Sequence, residues 1–323
     1  MNTRALRMFV PAVPRMIWNL WNNLPIVASI DITKACNLRC PYCYELPYLV
    51  KLSDDDGITV KSLRELCSHL RRVHKIKFAV IVGGEPGLVR MRERVEVVSQ
   101  NFPFSWLVTN GLPDPLDRQY NIYGQFSNVF VIVSIDGIKE AHDNSRKRNG
   151  LFDTIVERFW DKPILTTTTL HVGNRNEPRR IVEYFMCSRI LAHAFEFATP
   201  IASKPIPGVH LIEKKRDVVI NDLHRLKDEF PRKVAISHYM LEMMRTDAVA
   251  KWGGPKRCPS VSHALSFTLD RKTGGWVQKI PCVLAGGASL KPNCRFCGCH
   301  VPTVFLGMKK DPSTFAQVLW FLK

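Results

Sequence analysis

Three cysteines in one short loop, Cys36, Cys40 and Cys43, are the residues whose type and spacing point most directly to chemistry. Thiolates separated by three and then two residues can cap three irons of a cubane 4Fe–4S cluster, which leaves the fourth iron without a protein donor. Zinc in a closed structural site takes four ligands, and this loop holds neither a His nor a fourth Cys. An iron open on one side can take a small ligand and pass it an electron. The group, not the polypeptide, then carries the difficult step.

A second group follows near the C-terminus: Cys258, Cys282, Cys294, Cys297 and Cys299. Cys294-Arg295-Phe296-Cys297-Gly298-Cys299 is dense enough to wrap a metal, with Cys258 and Cys282 reaching it from the flanks of a hairpin at Gly274-Gly275. Five thiols exceed four positions, so iron–sulfur, structural zinc and free redox thiols all stay open. Cys67 and Cys187 fall inside helical periods and are expected to pack as small hydrophobes. His142 and His171 are expected as packing or surface residues, whereas His300, beside the second group, is a further candidate ligand.

Positioning these residues needs strands that end where the chemistry is. β-Branched runs at Ile26 to Thr33, Phe78 to Val82, Ser105 to Thr109, Val129 to Ile135, Ile164 to Leu170 and Ala194 to Ala198 predict strands, with a short one at Val234 to Ser237. Helices are expected between them. Leu63, Leu66, Cys67, Leu70 and Val73 share a face, and others run over Phe152–Trp160, Glu177–Ile190 and Lys214–Phe230. The alternation implies an α/β fold, a partial (β/α)6 barrel with its chemistry at the carboxyl ends of the strands. Gly83-Gly84-Glu85-Pro86, Thr109-Asn110-Gly111 and Ser134-Ile135-Asp136-Gly137 each close a strand. Three regions are expected: a basic, aromatic segment at 1–25, the barrel at 26–250, and a small Cys-rich domain at 251–323, turn-rich and stapled by its thiols.

Of the 323 residues, 46% are hydrophobic and 23% charged, ordinary for a globular chain. Apolar runs are too short for a spanning helix, and Arg4, Arg7 and Arg15 interrupt any signal-peptide core. Clustered cysteines without a secretion signal point to a reducing, cytoplasmic setting. The net charge of +17 favours an anionic partner without choosing among phospholipid, nucleic acid and phosphorylated substrate. Arg4, Arg7 and Arg15 mix with Phe9, Ile17, Trp18 and Trp21, a makeup that suits either peripheral membrane contact or a plug for the barrel bottom.

The first loop, with Tyr42 ahead of Cys43 and the three strand-end motifs in order, resembles the radical S-adenosylmethionine (radical SAM) superfamily over residues 26 to about 200. That resemblance implies a catalytic 4Fe–4S cluster on Cys36, Cys40 and Cys43 and reductive cleavage of S-adenosylmethionine to a 5′-deoxyadenosyl radical. It further implies that Gly83, Gly84, Glu85 and Pro86 bind the methionyl ammonium group. Thr109, Asn110, Ser134 and Asp136 would meet ribose and carboxylate, Tyr42 would lie near adenine, and a flavodoxin- or ferredoxin-type donor would supply electrons. The second cysteine group resembles a twitch or SPASM extension, which implies an auxiliary 4Fe–4S cluster.

The stretch Gly275-Trp276-Val277-Gln278-Lys279-Ile280-Pro281-Cys282, with Trp252-Gly253-Gly254-Pro255, resembles the adenosylhopane synthase group. The leading expectation is therefore a small, isoprenoid-like hydrophobic substrate, attacked by radical addition or hydrogen abstraction. Peptide or protein modification of the SPASM type is the alternative. Nucleic-acid modification is a third, since the basic residues are scattered and no RRM, KH or OB signature accompanies them.

Overall fold

The computed structural model describes residues 10–201, 206, 208–280, 282, 284 and 292–321. Arg4, Arg7, Phe9, Pro281 and Gly286-Gly287 lie outside the described residues. Six parallel strands form in the predicted places: β1 (Val27–Thr33), β2 (Phe78–Gly83), β3 (Phe104–Thr109), β4 (Val129–Ser134), β5 (Leu165–Leu170) and β6 (Ala192–Phe197). They pair in sequence order, so each crossover advances the sheet by one strand without closing it.

The far side of β1 was not foreseen. There β7 (Ala264–Leu269) pairs in parallel with β1 and β8 (Trp276–Gln278) pairs antiparallel with β7, giving the order β6-β5-β4-β3-β2-β1-β7-β8. The residues after 250 thus continue the same sheet. β1 gains neighbours on both edges and is buried along its whole length, as expected of a central parallel strand. The predicted strand at Val234 to Ser237 is reduced to a single bridge between His193 and Val234.

Burial alternates along the strands. In β5, Thr166, Thr168 and Leu170 are buried under helices while Leu165, Thr167 and Thr169 face the half-open interior. The covering helices are α1 (Val13–Trp21), α2 (Val60–Arg72), α3 (Arg92–Asn101), α4 (Glu140–Arg146), α5 (Leu151–Phe159), α6 (Glu177–Tyr184) and α7 (Glu213–Glu229). Leu63, Leu66, Cys67 and Leu70 are the buried stripe of α2, as their spacing predicts. α6 stops six residues short of expectation, because Ser188 Oγ bonds the Phe185 carbonyl and turns the chain. Cys187, expected as a packed residue, is consequently exposed, whereas Cys67 is fully buried.

At the amino ends of the strands, Phe78, Phe104, Trp106 and Phe130 form an aromatic floor against which Val13 and Met16 of α1 pack. Leu20 is buried with Ile26, Val27 and Phe305, yet Trp18 and Trp21 are exposed, so only one face of α1 serves as the plug. The last third also holds more helix than its turn-rich sequence implies: α8 (His238–Met243), α9 (Thr246–Trp252), α10 (Pro259–His263), α11 (Val301–Lys310) and α12 (Pro312–Phe321). Among the described residues no helix is long and apolar enough to cross a membrane.

Candidate functional site

The loop after β1 is fixed from several sides. Thr33 Oγ1 and the Lys34 amide donate to Asp56 Oδ2, and Arg94 grips both oxygens of Asp56. Arg39 folds back on its own loop, donating to the carbonyls of Cys36, Leu38 and Val50 at 2.7, 2.8 and 2.9 Å. Cys40 is buried, and Cys36 and Cys43 are half-buried. Burial pushes the Cys36 thiol up to about 12, aided by Glu85, and the Cys43 thiol up to about 11; Cys40 rises for the same first reason. The Cys36 thiol also feels the charges of Cys43 and Cys40, which lie in the same loop. Thiols raised this far hold their protons until a metal displaces them.

Gly83 and Gly84 have a tighter reason to be glycine than ligand approach. Gly83 has φ +119°, and a Cβ on it would lie 2.3 Å from the Thr33 carbonyl oxygen; on Gly84 it would lie 2.2 Å from that of Ala35. The missing side chains let Gly84 and Glu85 donate their amides to Thr33 and Ala35 at 2.7 and 2.8 Å, clamping the β2 end to the cysteine loop. Glu85 is buried and accepts from Thr109 Oγ1 and from the amides of Asn110 and Gly87. Burial raises its pKa against those hydrogen bonds. Pro86 follows in the turn, and Asn110 Nδ2 bonds Asn37 Oδ1 at 2.8 Å.

Asp136, fully buried past the end of β4, is held by Arg146 (2.8 Å), the Thr169 amide (2.9 Å) and the Tyr42 hydroxyl. Its burial would raise the carboxyl, but Arg146 and then His142 outweigh that and hold it below the usual range. Tyr42 stacks on His171 with ring centroids 5.1 Å apart. Ser134 is buried beside Thr167, whose inward hydroxyl is buried without a protein partner. Arg146 carried no sequence signal, yet its cation sits next to Cys40 and Asp136.

The second group converges more completely than its spacing promised. Cys258, Cys282, Cys294, Cys297 and Cys299 all line one cavity, with Trp252, Gly253 and Pro302 completing the wall. Burial raises all five thiols, Cys282 and Cys297 to about 12. Arg216 of α7 forks onto the carbonyls of Phe296 and Cys297, and Gly298 seats on β6 through Phe197 and Thr199. His300 turns its Nδ1 to Glu196 Oε2 at 3.2 Å, and Glu196 on β6 lies close enough to Cys299 and Tyr44 to raise both. Among the described residues no three His, Cys, Asp or Glu side chains close on a single metal ion. The extra thiols fit a second cluster, in which each thiolate would meet a different iron.

The sequence matches the radical SAM superfamily over residues 30–181, the stretch that carries the first cysteine loop, both strand-end glycines, Glu85 and Asp136. These residues form a radical SAM superfamily domain. Its cofactors are accordingly a 4Fe–4S cluster and S-adenosylmethionine, which the three buried or half-buried thiols of one short loop and the unpartnered Thr167 hydroxyl fit. A curated relative, the sporulation killing factor maturation protein SkfB of Bacillus subtilis, is 30% identical over 264 residues, which is 79% of this chain and 57% of SkfB. The chain therefore spans little over half of that relative. SuiB of Streptococcus suis, solved bound to its precursor peptide SuiA, is 10% identical with TM-score 0.59, covering 94% of this chain and 69% of SuiB. anSMEcpe, solved with AdoMet and the Cp18Cys peptide, is 14% identical with TM-score 0.59, covering 93% and 84%. At those identities both similarities establish the fold alone.

Proposed function

We propose that the chain cleaves S-adenosylmethionine reductively and uses the result to modify a peptide. In this reading Cys36, Cys40 and Cys43 hold the catalytic cluster, and four of the five C-terminal cysteines hold an auxiliary one. When bound, the first cluster supplies the electron that breaks a carbon–sulfur bond of S-adenosylmethionine. The protein's part is placement. Gly83 and Gly84 bring β2 against the cluster loop, Glu85 presents a buried carboxylate to the methionyl ammonium, and Asp136, oriented by Arg146 and Tyr42, lies on the opposite wall.

One observation carries the choice of substrate: a 30% identity to SkfB that runs over 79% of this chain, a longer stretch than the superfamily match at residues 30–181. SkfB is named as the maturation protein of a sporulation killing factor, and SuiB and anSMEcpe were solved with peptides. The isoprenoid-like substrate rests on the sequence resemblance of the Gly275 to Cys282 string and Trp252-Gly253-Gly254-Pro255, and none of these relatives adds to it. A low-potential ferredoxin- or flavodoxin-type donor is part of the proposal.

The test is anaerobic reconstitution with iron and sulfide, followed by S-adenosylmethionine, dithionite and either a precursor peptide or a lipid extract. Formation of 5′-deoxyadenosine together with a mass change in the peptide is the expected result. A mass change confined to the lipid fraction would overturn the peptide assignment, and no 5′-deoxyadenosine at all would overturn the activity.

A further inference from the structure

Beneath the first cysteine loop lies a closed square of buried charges. Lys34 Nζ donates to Asp31 Oδ2 at 2.7 Å and to Glu45 Oε2 at 2.6 Å. Lys279 Nζ donates to the same Asp31 oxygen at 3.0 Å and to Glu45 Oε1 at 2.6 Å. Lys279 is wholly buried, and the other three side chains are nearly so. Two cations balance two anions, the condition under which such burial is tolerated. A buried ion square is a weak device for stability, since well-packed apolar groups do as well. What it supplies is a fixed arrangement of the segments that contribute to it.

Those segments are informative. Asp31 and Lys34 flank the end of β1, and Glu45 stands two residues past Cys43. Lys279 follows β8, anchored by its amide on the Ser266 carbonyl at 2.7 Å, and leads to Cys282 three residues on. We propose that Lys279 is a positioning residue for the Cys36, Cys40 and Cys43 site: its ammonium pins Glu45, and with it the Cys43 end of the loop, to the strand that delivers Cys282. The two cysteine groups are thereby set as one unit. The inference rests on the first loop being a cluster site.

The experiment uses the full chain, reconstituted anaerobically, as wild type, Lys279→Arg, Lys279→Met and the charge-balanced double variant Lys279→Met with Glu45→Gln. The readout is the electron paramagnetic resonance signal of the reduced first cluster and its change on adding S-adenosylmethionine. The expected result is loss of that change in both Met variants and its retention in Lys279→Arg. If Lys279→Met does not fold, the double variant, which leaves no uncompensated buried carboxylate, carries the same readout. A wild-type response in a Met variant overturns the proposal. A wild-type protein that binds no iron overturns instead the reading of the cysteine loop, so the two failures are distinct.

Discussion

Replacing Gly84 with alanine should displace the cysteine loop itself. The added Cβ would stand 2.2 Å from the Ala35 carbonyl oxygen, 2.6 Å from its carbonyl carbon and 2.9 Å from that of Lys34. All three are backbone atoms, so no side chain can swing away. Ordinary contact begins at 3.4 Å, which requires a displacement of about 1.2 Å between the β2 end and the residue preceding Cys36. Two hydrogen bonds cross this gap, Gly84 to Thr33 and Glu85 to Ala35. Losing them costs ~1 kcal/mol each, and overpacking adds ~1–3 kcal/mol. At ~1.5 °C per kcal/mol, from an unfolding entropy of ~2.1 cal/mol/K per residue, the midpoint of thermal unfolding should fall by roughly 4–8 °C. A misplacement near 1 Å also costs on the order of 10²-fold in turnover. Calorimetry of the metal-free chain and 5′-deoxyadenosine release from the reconstituted one measure the two effects. A variant equal to wild type in both would refute the claim that these glycines exist for backbone approach.

Cys36→Ala should bring 5′-deoxyadenosine formation to background and lower bound iron by about four per chain, read by a colorimetric iron assay. Alkylation of the native protein by iodoacetamide should modify Cys187, which is exposed, and spare Cys67, which is buried, as peptide mass spectrometry would reveal. Burial pushes His142 and His193 down to about 3, with Arg146 and Lys233 adding to it. Unfolded histidine titrates near 6.5, so their stability is full above about pH 6.5 and falls below it by ~1.4 kcal/mol per pH unit for each. Urea midpoints should therefore drop between neutral pH and about pH 5.5, and His193→Gln should lessen that drop. Truncation after residue 250 removes β7 from the edge of β1 and should abolish cooperative unfolding, seen as loss of a single thermal transition by circular dichroism.

The barrel was legible because its signals are local. Strand runs, the α2 stripe and the three strand-end motifs each depend on residues close in sequence, and all six predicted barrel strands form within two residues of expectation. β7 escaped because Ala264–Leu269 follows a Gly- and Pro-rich stretch and lies beyond the strand–helix alternation that marks the barrel. What makes it a strand is the free edge of β1, more than two hundred residues away. Arg146, Glu196 and Lys279 escaped for a related reason. A lone charged residue in sequence looks like a solvated one, and only the fold reveals that Arg146 meets Asp136 and Lys279 meets Glu45. The glycines of Gly83-Gly84 were legible as required but not in their main role, since the atoms they accommodate belong to another strand end.

The two cysteine groups share one end of the sheet for a topological reason. In a parallel sheet every strand of the barrel ends on the same side, so any loop that follows a strand is delivered to that side. Cys36 follows β1 in that way. The second group obeys the same rule indirectly. Gly298 is seated on the carboxyl end of β6 by Phe197 and Thr199, at a spot where a Cβ would come within 2.1 Å of the Phe197 carbonyl oxygen. Cys282 arrives from the opposite edge, through β8. The C-terminal cavity therefore gathers chain delivered from both margins of the open sheet, with Gly298 docked on β6 and Cys282 arriving after β8. Glu196, the half-buried carboxylate of β6, lies close to both Tyr44, beside the first loop, and Cys299 of the second group. An open sheet keeps both of those margins available, which a closed barrel would not.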